Sequence, residues 1–453
     1  MDKSEVLGTE KIPTLLWRFS IPAITGAVVN ALYNVIDSIF VGHGVGDIGL
    51  TAVTIAFPLM LILMAIGMFV GVGAAALTSI RLGQKKKADA ELILGNALTM
   101  LVVFVLVSTT IALFFLEPLL IRLGATPDVL PYAEDFSYVI LLGSVFMHIS
   151  FGLNGIISAQ GDPKTALYTM LIASILNTIL NPFFIFILGL GIKGSALATV
   201  TAQAVASVWV LRYFIKGQGT LKLRRANLRL RRDIVQGIAK IGLAPFIMQV
   251  CNGFVVFSLN SGLLKYGGPL AVASYGIIGR VNMLILMPVI GISQGAQPLI
   301  GYNFGSGQYQ RVTETLKRAI TAATVICLLG LVIIQLLSAQ IIYTFNGSQE
   351  MVDIGSAGMK TFLLMLPLAG FQIIGANFFQ SIGKARYSIV FNLLRQVILL
   401  IPLAFQLPTI FGLKGIWMAG PIADGASALL TGCFLILEIS RLNKIAASQP
   451  ALL

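Results

Sequence analysis

Two aspartates stand inside long apolar runs, and they are the residues best placed for chemistry. Asp37 lies in Tyr33-Asn34-Val35-Ile36-Asp37-Ser38, and Asp424 lies in Pro421-Ile422-Ala423-Asp424-Gly425. Removing a carboxylate from water disfavours its charged form, so an acid in such a setting can take up and release a proton. The alternative for Asp37 is an acid kept at a water interface for helix capping or packing. Asp424 has Arg395 at a similar depth in the preceding apolar run. A paired acid resists protonation, so Arg395 and Asp424 read as a structural ion pair rather than a second proton site. Arg280, also inside an apolar run, has no evident partner and either faces a cavity or snorkels outward.

Other chemistries find no support. Gly189-x-Gly191-x-x-Gly194 matches the dinucleotide fingerprint, but no acid follows until Asp233, and the Gly-x-Lys-Gly part recurs as Gly412-Leu413-Lys414-Gly415. It reads as a repeated turn. Gly383-Lys384 is followed by Ala385, so no phosphate loop is present. His43 and His148 lack metal-ligand spacing. Cys251, Cys327 and Cys433 are far apart in apolar runs and are expected to be small buried packing residues, with no metal site and no cofactor.

Met60, Met64 and Met68 recur at four-residue spacing, and Met170 stands in a later apolar run. Such a stripe either packs against lipid and neighbouring helices or gives a soft, adaptable lining for varied aromatic ligands. Tyr33, Met60, Met64 and Met170 are the candidate lining. Pro22 precedes Asp37 on one predicted helix. It is either a static kink or a bend that couples to protonation.

The elements that carry these residues are membrane spans. Of 453 residues, 57% are apolar, 46 more are glycine and only 11% are charged; a globular chain has about 45–50% apolar residues including glycine. Mean hydropathy is +0.91. No water-soluble domain hides that much apolar surface. Collagen, disulfide scaffolds and disordered chains are excluded as well. Twelve spans are predicted at about 15–41, 51–80, 92–116, 136–160, 165–189, 194–215, 236–264, 270–303, 319–343, 358–382, 387–408 and 415–440. The opening stretch Met1 to Pro13 carries Asp2, Glu5 and Glu10. The apolar run after it is too long for a removable signal peptide and lacks its cleavage site.

Lys and Arg fix the expected orientation. With the N-terminus inside, 24 of the 31 fall on the cytoplasmic side, including Lys3, and five (Arg122, Lys193, Lys265, Lys360 and Lys414) on the other. Both termini are therefore expected in the cytoplasm. The net charge of +13 thus speaks for a membrane and not for nucleic acid. The basic stretch 216–232 reads as a solvated linker that sets topology beside anionic lipid.

The halves flanking this linker are related. Pro22 matches Pro245, Gly73 matches Gly295, Gly83 matches Gly305 and Gly161 matches Gly383, at offsets of 222 to 223. Each half has six spans, so both enter the membrane in the same direction. The expected fold is an all-α polytopic membrane protein of twelve transmembrane helices, arranged as two six-helix bundles related by a pseudo-two-fold axis along the membrane normal. The expected boundaries are a tail at 1–14, a lobe at 15–215, the linker at 216–235, a lobe at 236–440 and a tail at 441–453.

The spans, the repeat, the Pro22…Asp37 helix and the segment Gly71–Gly83 together resemble the multidrug and toxic compound extrusion family, and its DinF-like branch most. Ser274-Tyr275-Gly276-Ile277 and Leu299-Ile300-Gly301-Tyr302-Asn303-Phe304-Gly305 add to the likeness. The resemblance implies an antiporter that exchanges protons or Na⁺ for amphipathic, often cationic, drugs by alternating access. It makes Asp37 the coupling acid, with Asn34, Asn177, Asn181 and Thr199 as its polar surroundings. Asn181 stands where many DinF-like members have a second acid before the proline, here Pro182. That departure favours protons over Na⁺, although Asp37, Asn177, Asn181 and Thr199 could hold Na⁺. Helices seven and ten offer Asn252, Asn260 and Gln372 where another branch has acids. The chain is expected to act as a monomer in the inner (plasma) membrane. The rival within the same superfamily is a lipid-linked saccharide flippase. An enzyme would need a clustered His, Asp or Ser site, and a channel would need rings from several subunits.

Overall fold

The computed structural model describes residues 4–345 and 348–448, so Lys3 and residues 449–453 of the expected tails lie outside the described residues. Among the described residues every regular element is helical. In lipid each backbone N–H and C=O must be satisfied within the protein, and a helix does this within one segment. The short α1 (Val6–Thr9) precedes α2 (Ile12–Val45), α3 (Asp47–Gly83), α4 (Lys87–Phe114), α5 (Leu116–Arg122), α6 (Leu130–Ala159), α7 (Pro163–Pro182) and α8 (Gly191–Lys216). Then come α9 (Arg232–Gly305), α10 (Tyr309–Thr344), α11 (Gln349–Phe362), α12 (Leu366–Ser381), α13 (Ala385–Leu393), α14 (Ile401–Phe411) and α15 (Leu413–Ser448).

Among the described residues, ten helical stretches are long and apolar enough to cross a membrane, and α11 with α12, bent by 47°, makes an eleventh. The 74-residue α9 holds two spans, because Gly268 breaks it at φ 67° and ψ −169°. Only glycine adopts that backbone without strain. Twelve spans result, each covering the stretch expected from the sequence to within two residues. The bend in the tenth span falls between Phe362 and Leu366, just before Pro367.

The chain forms two compact units whose boundaries cut through helices. Unit 1 holds the described residues up to Thr9 together with Thr25–Phe246, and unit 2 holds Glu10–Ile24 with the chain from Ile247 onward. The lobes are thus not the contiguous stretches 15–215 and 236–440. Glycine explains the exchange. A Cβ on Gly295 of α9 would lie 2.8 Å from the Ser20 nitrogen, and one on Gly73 of α3 would lie 2.3 Å from the Ile238 oxygen and 3.0 Å from the Gly242 nitrogen. In each unit a small residue admits the backbone of a helix that begins in the other half of the sequence. Pro22 and Pro245 stand close to the two handovers, Ile24/Thr25 and Phe246/Ile247.

In unit 1, α3, α5, α6 and α8 share a core built from Leu59, Leu63, Leu120, Phe136, Leu141 and Ile192. The turn before α7 is pinned by Asp162, whose Oδ1 accepts from the Thr165 N–H at 3.2 Å and whose Oδ2 accepts from the Tyr213 hydroxyl at 3.0 Å. In unit 2 the equivalent turn is pinned differently, by Lys384 Nζ at 2.6 Å from both oxygens of Glu438.

The basic segment after α8 keeps its basic side chains exposed, while its backbone is docked on α4. Asn96 of α4, fully buried, donates to the Asn227 and Arg229 carbonyls at 3.2 and 3.3 Å and accepts from the Arg231 N–H at 2.7 Å. Thr99 donates to the Leu228 carbonyl at 2.7 Å, and buried Glu91 pairs with Arg224 at 2.8 Å. The hydrophilic composition accounts for the exposed side chains, but it did not reveal that Glu91, Asn96 and Thr99 of an apolar helix bind the backbone of the segment. The cysteines also divide: Cys251 and Cys327 are buried as expected, whereas Cys433 is exposed on α15. Its place on the outer side of a span gives it no core to pack into.

Candidate functional site

Asp37 sits near the end of α2, and two helices of unit 1 bring polar side chains to it. Asn177 and Asn181 lie one turn apart on α7, and Ser195 and Thr199 lie one turn apart on α8, so each pair shares a helix face. Asp37 Oδ1 accepts a hydrogen bond from the Asn181 amide and a second from the Ser195 hydroxyl at 3.0 Å. Asn181 also donates to Asn177 Oδ1 at 3.3 Å, and the Asn177 amide donates to Thr199 Oγ1 at 3.0 Å. Tyr33 stands one turn before Asp37 on the same helix, near the Thr199 hydroxyl. Asn177, Asn181 and Ser195 are buried, while Asp37 is half-buried.

Local sequence explains the placement. Pro182 has no N–H to continue the α ladder, and the chain widens into a π-helical turn, Phe183–Ile187, directly after Asn181. Gly194 lets the first turn of α8 close on that widened turn: a Cβ there would be 2.8 Å from the carbonyl carbon and oxygen of Phe184. The approach delivers Ser195 to Asp37.

The structure thus brings together Tyr33, Asp37, Asn177, Asn181 and Thr199. It adds Ser195, whose sequence signal is its place one turn before Thr199. Asn34 stands apart, exposed, with its amide donating to the Asn30 carbonyl at 2.7 Å. The methionines of the expected lining have different surroundings. Met60 packs against the core cluster of unit 1, Met64 is 41% exposed, and Met170 places its sulfur over Gly26 of α2. The spacing of four is that of an ordinary core-and-surface helix face. His148 is a packing residue, its ring nitrogens 2.7 and 2.8 Å from the Ser144 and Leu63 carbonyls. Among the described residues no cluster of metal-ligating side chains occurs.

In unit 2, Arg395 Nε lies 2.6 Å from Asp424 Oδ1. Arg395 rides on a second π-helical stretch, Leu394–Leu400. Around the pair, Ser427 donates to Gln372 Oε1 at 2.9 Å, Gln372 donates to the Phe391 carbonyl at 3.2 Å, and Gln396 donates to Asn252 Oδ1 at 2.8 Å. The two units therefore carry different polar sites: one holds a lone carboxylate among neutral donors, the other a compensated ion pair.

Chemically, the Asp37 cluster suits proton exchange. Both neutral donors reach Oδ1, and among the described residues no side chain bonds to Oδ2, which is left for a proton. The oxygens of Ser195, Thr199 and the two asparagines could also surround a Na⁺ ion, but Asn181 and Ser195 present N–H and O–H to the carboxylate. The Asn181 Oδ1 is nonetheless buried without a hydrogen-bond partner, and the Ser195 oxygen keeps its lone pairs while donating.

Known proteins resemble this chain in fold and sequence. The MatE family model matches twice, at residues 22–183 and 245–406, which repeats the internal offset seen in the sequence. "Multidrug export protein MepA" of Staphylococcus aureus (strain MRSA252) is 27% identical over 436 residues, 96% of either chain. MepA of Staphylococcus haemolyticus (strain JCSC1435) is 27% identical over 438 residues, covering 97% of this chain and 96% of its own. A crystal structure of MATE in the bent conformation superposes with a TM-score of 0.93 at 25% identity, over 99% of this chain and all of the other. A MOP superfamily transporter from Pyrococcus furiosus, described as having a binding pocket of reverse polarity that suggests a different function, gives 0.91 at 26% identity, covering 98% of this chain and 99% of its own. A family match in both halves, on a fold of twelve spans, means that this chain is a member of the MatE family of membrane transporters.

Proposed function

We propose that this protein exports amphipathic, often cationic, compounds across the plasma membrane in exchange for protons, with Asp37 as the coupling acid. The observation that carries the reading is the cluster at Asp37: one carboxylate, neutral donors on Oδ1 and, among the described residues, no cationic side chain bonded to it. The multidrug export proteins that align with nearly the whole chain support the substrate class. Nothing in the site favours the saccharide flippase.

The proposed cycle follows from charge burial. In its charged form Asp37 attracts a cation or accepts a proton, and protonation removes the cost of burying the charge. Helix α2 passes from unit 2 to unit 1 between Ile24 and Thr25, beside Pro22, where a backbone N–H is missing. A bend at that place would link the protonation state to the arrangement of the first helix. Both termini lie in the cytoplasm in this reading, and the chain works as a monomer without a cofactor.

Proteoliposomes loaded with a cationic dye test the reading. A pH gradient alone should drive dye movement, and Asp37→Asn should reduce it at least tenfold while leaving the amount of folded protein unchanged. Transport by Asp37→Asn at the normal rate would overturn the role of Asp37. Transport driven by a Na⁺ gradient at equal pH would replace the proton by Na⁺, with Asn181 as a ligand.

A further inference from the structure

The basic segment between the halves is a fixed strap that turns its backbone toward α4 and its arginines outward. Helix α4 is 28 residues long, about 42 Å at 1.5 Å per residue, against a hydrocarbon core of about 30 Å. Its ends must therefore protrude, and the three lysines Lys85, Lys86 and Lys87 mark the polar one. Glu91, Asn96 and Thr99, which grip the strap, lie roughly 6, 14 and 18 Å along the axis from Lys87. This sets the strap along the lysine-marked end of the span, the end that faces lipid headgroups.

At this end Arg224 is held by Glu91 and Arg231 by Asp233, at 2.8 and 3.1 Å. Arg225, Arg229 and Arg232 are exposed, and neither ion pair uses them. Leu230, among them, is 47% exposed. A guanidinium offers a planar fork that matches phosphate oxygens, and a rigid backbone lowers the entropy lost when several act together. We propose that the strap is a binding surface for the phosphate headgroups of anionic phospholipids, with Arg225, Arg229 and Arg232 supplying charge and Leu230 reaching the acyl boundary. The surface depends on the membrane-spanning fold and not on coupling at Asp37. In the orientation proposed above, its occupant is the cytoplasmic leaflet.

The test uses purified, delipidated protein in neutral detergent, offered equal amounts of phosphatidylglycerol and phosphatidylcholine, with bound lipid counted by native mass spectrometry. The wild type should retain phosphatidylglycerol preferentially, and the triple variant Arg225→Gln, Arg229→Gln, Arg232→Gln should lose about tenfold of that preference. Its unfolding midpoint without lipid should match the wild type, because none of the three side chains holds the strap. If the triple variant does not fold, Arg229→Gln and Leu230→Ser alone should each lower the same ratio. Equal preference in wild type and variants would overturn the proposal. So would displacement of the lipid by inorganic phosphate at equal concentration, which would mark a site for free phosphate. Because lipid retention is read without transport, failure here and failure of the export reading are separate outcomes.

Discussion

Asp37 and Asp424 differ in what surrounds them, and the difference assigns them different consequences. Asp37 has neutral donors, so gaining a proton leaves its neighbours satisfied. Asp424 has a guanidinium at 2.6 Å, so neutralising it leaves Arg395 charged and unpaired in an apolar setting. Removing one partner of such a pair typically costs about 3–5 kcal/mol, whereas replacing both by apolar groups is often neutral. Arg395→Met and Asp424→Asn should each lower the unfolding midpoint and the amount in the membrane, and Arg395→Met with Asp424→Leu should recover most of the loss. If Asp424→Asn were instead fully stable but unable to transport, Asp424 would be part of coupling.

At the scale of elements, the strap shows how a few polar side chains on a span decide the course of a charged segment. Asn96 alone satisfies three backbone groups of the strap. Its loss would leave them without partners, at about 1–3 kcal/mol for each that stays buried. Asn96→Ala should therefore free the segment, and trypsin should cut at Arg224 or Arg225 several times faster than in the wild type. In membrane vesicles only those with the cytoplasmic face outward should be cut. Cleavage from the other face would reverse the orientation given by the lysine and arginine count, and unchanged cleavage would show the strap held by other contacts.

At the scale of the molecule, each unit is completed by the opening turns of a helix from the other half of the sequence. Gly295→Val and Gly73→Val would each set a side chain against backbone, 2.8 Å from the Ser20 nitrogen and 2.3 Å from the Ile238 oxygen. Overpacking of this kind costs roughly 1–3 kcal/mol or more. Both variants should lower the yield of folded protein and its unfolding midpoint. Gly276→Ala, on the same α9 with open space around it, should be neutral or slightly stabilising. Equal behaviour of all three would remove the close approach as the reason for the exchange.

The twelve spans were legible because lipid leaves an apolar chain one economical way to satisfy its backbone, and run length alone counts the crossings. The repeat was legible because glycine and proline mark backbone geometry wherever they recur, as Pro22 and Pro245 do. Asp37 and the Arg395–Asp424 pair stood out because an ionisable group in an apolar run is costly and seldom incidental. Ser195 did not stand out, since a serine in an apolar helix has no distinguishing cost until a neighbour such as Asp37 is placed beside it. Met60, Met64 and Met170 could not be assigned from sequence, because spacing fixes a helix face but not what that face meets. The docked strap and the exchanged helix ends were beyond the sequence for the same reason: both depend on which surfaces meet across more than a hundred residues. Asn96 beside Asn227 and Gly295 beside Ser20 become neighbours only when the tertiary structure sets them there.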